Sequence, residues 1–397
     1  MAKDAGNNSV YRLLPSVQHY DWGVAGPESF VYKLSPRQTD SSLPHAELWF
    51  GAHSKASSLV ESSEGVFTPL SELLTSEPML YLGSDVVDRF SGRLPFLFKI
   101  LSVAKPLSVQ LHPNKEMAVM LNAQNPLHYP DSNHKPEMSV ALTEVELLFG
   151  FRTLSDILGL IGRFVEFSEF VSSAIVEDEG KEKARIFSWL MHLGRSEVSR
   201  LCLSIAEVLR SGTVPLQACD NWFLKAFELY PGGDVGLFSF FFLNYFRVPK
   251  GEALFIGPNI PHAYLSGEMV ECMASSDNVV RLGLTSKYCD VDTMLEVIDY
   301  SAQIPKLLVP AEGESGERFY QLPCDDFRLS FIDSVAEQEM QLDSRMGILF
   351  SETASGTLRC GTQSLEYSPG TAFFVVDQAG EIRLSRHVGK MFRIELP

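Results

Sequence analysis

The sequence predicts a mainly β chain with an α-helical insertion, its β regions built as sandwiches or jelly rolls. Three observations carry this. Short apolar runs punctuated by Pro and Gly fill both ends of the chain. An apolar period of 3.6 residues is confined to the middle, from Leu154 to Leu229. After Pro231-Gly232-Gly233 the short runs return at the spacing of a sandwich or jelly roll.

From Tyr11 to about Phe151, Leu48-Trp49-Phe50-Gly51, Ser57-Ser58-Leu59-Val60 and Phe96-Leu97-Phe98-Lys99-Ile100-Leu101 read as strands between turns. In the middle, Leu154, Ile157, Leu158 and Ile161 recur at helical spacing. So do Ile186, Leu190 and Leu193, then Leu203, Val208 and Leu209, with charges from Glu177 to Lys183 as a solvated face or loop. Strands follow at Phe246 to Val248, Ala253 to Ile256, His262 to Leu265 and Met269 to Met273. Turns are expected at Gly257-Pro258-Asn259 and Ser266-Gly267. A short helix is expected over Val291 to Tyr300 and a linker over Pro305 to Gly316. Phe319 to Pro397 reads as a last all-β unit with its own turn, Ser368-Pro369-Gly370. The expected division is 1–152 and 231–304 as two parts of one β domain, 153–230 as the helical insertion and 305–397 as a second β domain.

Composition sets the functional bounds. At 397 residues and 45% hydrophobic, the chain can bury more than one core. A net charge of -17 argues against a nucleic-acid partner held through a basic face, and it requires any anionic substrate to meet a locally positive pocket. The six cysteines show no CxxC pair or regular spacing and read as reduced thiols. Met1 to Asn8 has no apolar core of a signal peptide, and the most apolar run, Leu237 to Leu243, is too short to span a bilayer. A cytoplasmic, monomeric protein without a membrane partner is the expectation.

Four segments carry chemistry. Gln110-Leu111-His112-Pro113-Asn114-Lys115 alternates, so Ser108, Gln110 and His112 share a strand face. Taken alone, that face reads more plainly as a solvated strand. Asn133-His134-Lys135-Pro136-Glu137-Met138 adds a carboxylate in what would otherwise be an ordinary charged turn. Pro258-Asn259-Ile260-Pro261-His262-Ala263-Tyr264 adds a second imidazole, alone more often a structural histidine. Together Gln110, His112, Glu137 and His262 offer two imidazoles, one carboxylate and one amide oxygen at strand ends or turns. That donor set suits zinc with room for water or substrate. The fourth segment runs from Glu271 through Ser275-Ser276-Asp277-Asn278 to Arg281 and Lys287. An arginine inside Val279-Val280-Arg281-Leu282 calls for a cleft or a buried partner, and guanidinium suits phosphate.

These segments resemble the type I mannose-6-phosphate isomerases, zinc enzymes of the cupin superfamily. Gln18-His19-Tyr20-Asp21-Trp22-Gly23 and Ala46-Glu47-Leu48-Trp49-Phe50-Gly51-Ala52-His53 match further family motifs, and the resemblance spans nearly the whole chain. It implies two cupin-type jelly rolls plus a helical domain, the C-terminal one without metal. It also implies one zinc per chain held by Gln110, His112, Glu137 and His262. Arg281 falls on the family's catalytic arginine, with Lys135 and Asp277 expected in catalysis and Ser108, Lys287, Tyr264 and Glu271 in substrate binding. The implied reaction interconverts mannose 6-phosphate and fructose 6-phosphate through a cis-enediol. It would supply mannose 6-phosphate for GDP-mannose and glycosylation, or feed mannose into glycolysis. His134, Glu271 and Asp277 are the candidate bases, with Asp277 preferred. Leu282 and Ser286 depart from the family's small residue and Pro in this stretch; Leu282 could narrow the pocket. Two other readings compete: a metal-dependent cupin oxygenase, which leaves Arg281, Lys287 and the helical insertion unexplained, and a non-catalytic sugar-binding cupin.

Overall fold

The strand Phe96–Val103 is buried along its whole length because both of its faces are covered. Its even residues Phe96, Phe98 and Ile100 join one large apolar core. Phe98, Phe50 and Phe350 meet there with ring centroids 5.1 to 5.6 Å apart, which locks the C-terminal β unit onto the back of this sheet. Its odd residues point to the opposite face, where Lys99 stands among apolar neighbours such as Leu97 and Leu101.

This computed structural model describes residues 8–36, 40–63, 65–174, 181–301, 303–313 and 316–397. The N-terminal stretch 1–7, the charged residues 177–180 and positions 314–315 of the expected linker lie outside them.

Among the described residues the strands form two eleven-stranded antiparallel sheets and a two-stranded pair. The sheet that carries Phe96–Val103 is ordered Leu307–Leu308, Ala253–Ile256, Glu137–Ala141, His262–Ala274, Phe96–Val103, Glu47–Phe50 and Ser16–Gln18. The strands Val109–Leu111, Val145–Phe151, Leu243–Val248 and Val280–Gly283 join it alongside. The second sheet gathers the strands from Ala311–Glu312 to Ile382–Glu395, but it also takes in three early strands. Val10–Leu14 pairs with Ala372–Val375, and Leu59–Ser63 and Val66–Pro69 continue the edge. The two ends of the chain are therefore stitched into one sheet.

The described residues of the middle form five helices, Leu154–Ile161, Val165–Ala174, Glu182–Met191, Arg195–Ser211 and Ala218–Leu229. Their apolar faces form a second core with the run Leu237 to Leu243, which folds as a short 3-10 turn and helix wholly buried against them. No helix among the described residues is long and apolar enough to cross a membrane, and all six cysteines are free thiols.

Three local expectations differ from the structure. The turn at Ser266-Gly267 is absent, and His262–Ala274 runs as one strand. It kinks there through a register shift, with Gly267 at φ 117°. A Cβ at Gly267 would lie 2.7 Å from the Glu144 carbonyl oxygen, so glycine bends the strand instead of ending it. The helix after Asp290 stops at Val297 because Ile298 is extended and the Asp299 N–H donates to the Asn259 carbonyl. Within the expected linker, Leu307–Leu308 and Ala311–Glu312 extend one sheet each.

Candidate active site and metal centre

The kinked strand His262–Ala274 organises the site because its two halves pair with different neighbours. Near its start, His262 stands in register opposite Gln110, and Gln110 stands opposite Arg281 on the next strand. Residues directly opposite share a face, so these three side chains project together. Farther along, Glu271 lies opposite Lys99 on one side and Ser139 on the other, and Lys99 lies opposite Trp49. Glu137, two residues before Ser139, belongs to the same face. Antiparallel register thus brings together residues scattered from position 49 to 281.

At the junction lie His112, Glu137 and His262, all buried, with one ligand atom from each within 4.8 Å of the others. His112 Nε2 is 3.2 Å from Glu137 Oε1, and His262 Nε2 is 3.5 Å from Oε2. These are close approaches without hydrogen-bond geometry: His112 Nε2, His262 Nε2 and Glu137 Oε2 are buried without a hydrogen-bond partner. Three orphaned donor atoms converging on one point would cost several kcal/mol, on the order of 1 to 3 each, unless something fills the gap. A cation fits. The other ring nitrogens are already committed, His112 Nδ1 to the Asn278 carbonyl at 3.0 Å and His262 Nδ1 to the Ile260 carbonyl at 2.9 Å. Those bonds fix the Nδ1–H tautomers and aim both Nε2 lone pairs inward. Burial pushes the His112 imidazole down to about 4, which keeps it neutral. For Glu137, burial favours the protonated acid, but His112 and Lys135 outweigh it and hold the carboxylate ionised. By register Gln110 faces the same space and could add an amide oxygen to these three donors, its Oε1 accepting from the Ser108 hydroxyl at 3.0 Å.

Cations surround this centre. Lys135 Nζ is 3.5 Å from Glu137 Oε1. Lys99 is buried with Nζ 2.9 Å from Glu271 Oε2; burial works against its charge, but Glu271, Glu47 and Glu137 outweigh that and raise its pKa. Burial, followed by the charges of Arg281, Lys55 and Lys135, lowers the Lys287 ammonium, which rests over the Tyr20 ring. Among the described residues the Arg281 side chain makes no hydrogen bond or ion pair, and burial lowers its pKa. A chain of net charge -17 therefore gathers Lys99, Lys135, Arg281 and Lys287 around the donor triad.

The remaining expected site residues have defined places. Asp277 lies 2.9 Å from Lys55 Nζ and 3.4 Å from His53 Nε2. Burial raises its pKa, but those two partners overcome that and hold it well below the carboxylate range. Glu271 is engaged by Lys99, and the Tyr264 phenol is buried, its hydroxyl without a hydrogen-bond partner. His192, in the helical region, bonds Ser188 and Asp292 away from the donor triad.

The catalytic-domain model of type I phosphomannose isomerases matches residues 10–154. A probable mannose-6-phosphate isomerase of Echinococcus multilocularis is 39% identical, covering 92% of this chain and 94% of that one. The rat mannose-6-phosphate isomerase is 35% identical, over 93% and 94% of the two chains. The chain belongs to the mannose-6-phosphate isomerase family. Among solved members, the Salmonella typhimurium enzyme bound to fructose 6-phosphate and zinc superposes with a TM-score of 0.85 at 32% identity. That match covers 98% of this chain and 99% of that one. Membership accounts for the architecture of two jelly rolls and a helical domain.

Lys99, Glu47, His53, Lys55 and Asn278 stand beside the candidate residues Glu271, Asp277 and His112, and the sequence motifs singled out none of them for a role. For Lys99 a signal existed: a lone charge inside Phe96 to Leu101 is the same anomaly that marked Arg281.

Proposed function

We propose that this isomerase interconverts mannose 6-phosphate and fructose 6-phosphate through a cis-enediol, with one zinc ion held by Gln110, His112, Glu137 and His262. The convergence of three buried, unpartnered donor atoms among Lys99, Lys135, Arg281 and Lys287 carries the reading. When bound, zinc supplies Lewis-acid polarisation of the sugar's C1 and C2 oxygens. With two neutral imidazoles, an amide and one carboxylate, such a centre keeps about one net positive charge, matched to an anionic substrate.

The chain's own groups do the rest. Lys135, Arg281 and Lys287 attract and orient the phosphorylated sugar, with Ser108, Tyr264 and Glu271 lining the approach. The Arg281 guanidinium, without a hydrogen bond or ion pair among the described residues, is free to meet oxygen charge that develops as the C–H proton leaves. The proton moves between C1 and C2 by way of one basic side chain. Asp277 is strongly held by His53 and Lys55 and is thereby a weak acceptor, which shifts weight towards His134.

The same reading assigns 1–152 and 231–304 to the catalytic cupin domain, because every proposed ligand comes from those stretches. The helices of 153–230 pack beside it, and 305–397 forms the metal-free cupin-like roll. It also places the enzyme in the cytoplasm, as a monomer, at the branch between GDP-mannose supply and glycolysis. The test is turnover of mannose 6-phosphate to fructose 6-phosphate in a coupled assay, lost with a chelator and restored by zinc. A zinc-loaded protein that binds the sugar phosphate without turnover supports the sugar-binding reading instead.

A further inference from the structure

The segment 131–136, which leads into Glu137, is held from one side by the 276–278 loop. Ser276 Oγ and Asn278 Nδ2 donate to the Asn133 carbonyl at 3.1 and 2.9 Å. On the other side it meets the C-terminal β unit at one ion pair. His134 Nε2 lies 2.7 Å from Oδ2 of Asp326, in the bend before the strand Arg328–Leu342. The Asp326 side chain is 4% exposed and the His134 side chain 20%. Among the described residues, His134 is the only basic group within ion-pair distance of Asp326, and the Cys324 thiol adds a weaker donor to the same oxygen at 3.6 Å.

A carboxylate withdrawn from water is costly unless paired, so this burial commits Asp326 to the imidazole. An acceptor-only carboxylate at Nε2 requires a proton on Nε2, so in the neutral ring Nδ1 carries the lone pair. The tautomer is the opposite of that imposed on His112 and His262. Lys135 and Glu137, one and three residues on, belong to the proposed site, so the imidazole is fixed at its edge in orientation and in which nitrogen donates.

We infer that Asp326 is a positioning residue for the isomerase reaction: the C-terminal β unit reaches into the catalytic domain through it and holds His134 in its Nε2–H form. The last β unit thereby has a role in turnover beyond covering apolar surface. The inference rests on the isomerase reading, and its test separates the two.

Asp326→Asn keeps the shape but offers an amide that can donate to Nε2 and invert the tautomer. In the full-length, zinc-loaded enzyme, kcat should fall on the order of tenfold or more, with KM within about twofold and zinc content unchanged. In a His134→Ala background the same change should cost nothing further, because its route of action is gone. Nitrogen-15 NMR of histidine-labelled wild-type enzyme should show His134 as the Nε2–H tautomer, a measurement that needs neither turnover nor a folded variant. An unchanged kcat, an equal loss in both backgrounds, or an Nδ1–H tautomer in the wild type would overturn the inference. Wild-type turnover of mannose 6-phosphate, run alongside, judges the isomerase reading separately.

Discussion

Lys99 and Glu271 face each other across adjacent strands, Nζ 2.9 Å from Oε2, with both side chains no more than 7% exposed. A buried pair contributes little net stability when whole, but removing one partner strands the other. The two halves are not equivalent. Lys99 also answers to Glu47 and Glu137, so its loss leaves three carboxylates under-compensated, whereas loss of Glu271 leaves Lys99 two. Lys99→Met should therefore destabilise more than Glu271→Gln, the larger cost being on the order of 3 to 5 kcal/mol. Denaturant unfolding of both variants checks the order, and equal or reversed costs would count against it.

Glu268 supplies a pH signature of the fold. Burial raises its carboxyl to about 7, against partial relief from the Ser102 hydroxyl. Below the ordinary carboxyl range it is protonated in both the folded and unfolded states and costs nothing. Between that range and pH 7 the folded state holds a proton that the unfolded state has released. Its contribution to stability is thus present in acid and is lost as pH rises through about 7. Glu268→Gln, which stays neutral, should match wild type near pH 4 and exceed it by about 2 to 3 kcal/mol at pH 8. Thermal unfolding across that range decides, and a difference independent of pH would reject the assignment.

Arg281→Lys keeps the charge but loses the planar pair of donors. Turnover should fall by roughly a hundredfold, the scale of losing one aimed donor to a developing oxyanion. Zinc content and Tm should hardly change, since among the described residues the Arg281 side chain makes no hydrogen bond or ion pair. Near-normal turnover by a folded, zinc-loaded variant would remove Arg281 from the chemistry.

Asn278 ties the site together: its side-chain amide donates to the Asp131 and Asn133 carbonyls and so places its backbone carbonyl, which orients His112. Asn278→Ala should weaken zinc affinity by about 10- to 100-fold, measured by competition with a chelator, while leaving all proposed ligands in place. Unchanged affinity would show that the His112 orientation survives without this clamp.

The sequence revealed the site more fully than the pairing around it. His112, Glu137 and His262 were legible because polar ligands at strand ends, in otherwise apolar surroundings, are costly unless used, and the structure brings them together. The helical character of the middle was legible because a 3.6-residue period recurring across seventy-odd positions has few other meanings, although Val165–Ala174 and Ala218–Leu229 were not singled out as helices. Long-range pairing was not. Nothing local in Val10–Leu14 says that its partner is Ala372–Val375, and Ser266-Gly267 reads equally as a turn or as a kink in one long strand. Asp326 was hidden for the same reason: its partner His134 is 192 positions away.

The central claim is that one zinc ion sits among Gln110, His112, Glu137 and His262, and elemental analysis of His262→Ala beside wild type tests it most directly. His262 Nε2 is one of the three orphaned donors, so its removal should strip the metal while the apolar core stays intact. The account predicts one zinc per wild-type chain and essentially none in a folded, inactive His262→Ala. Stoichiometric zinc in that variant would contradict it.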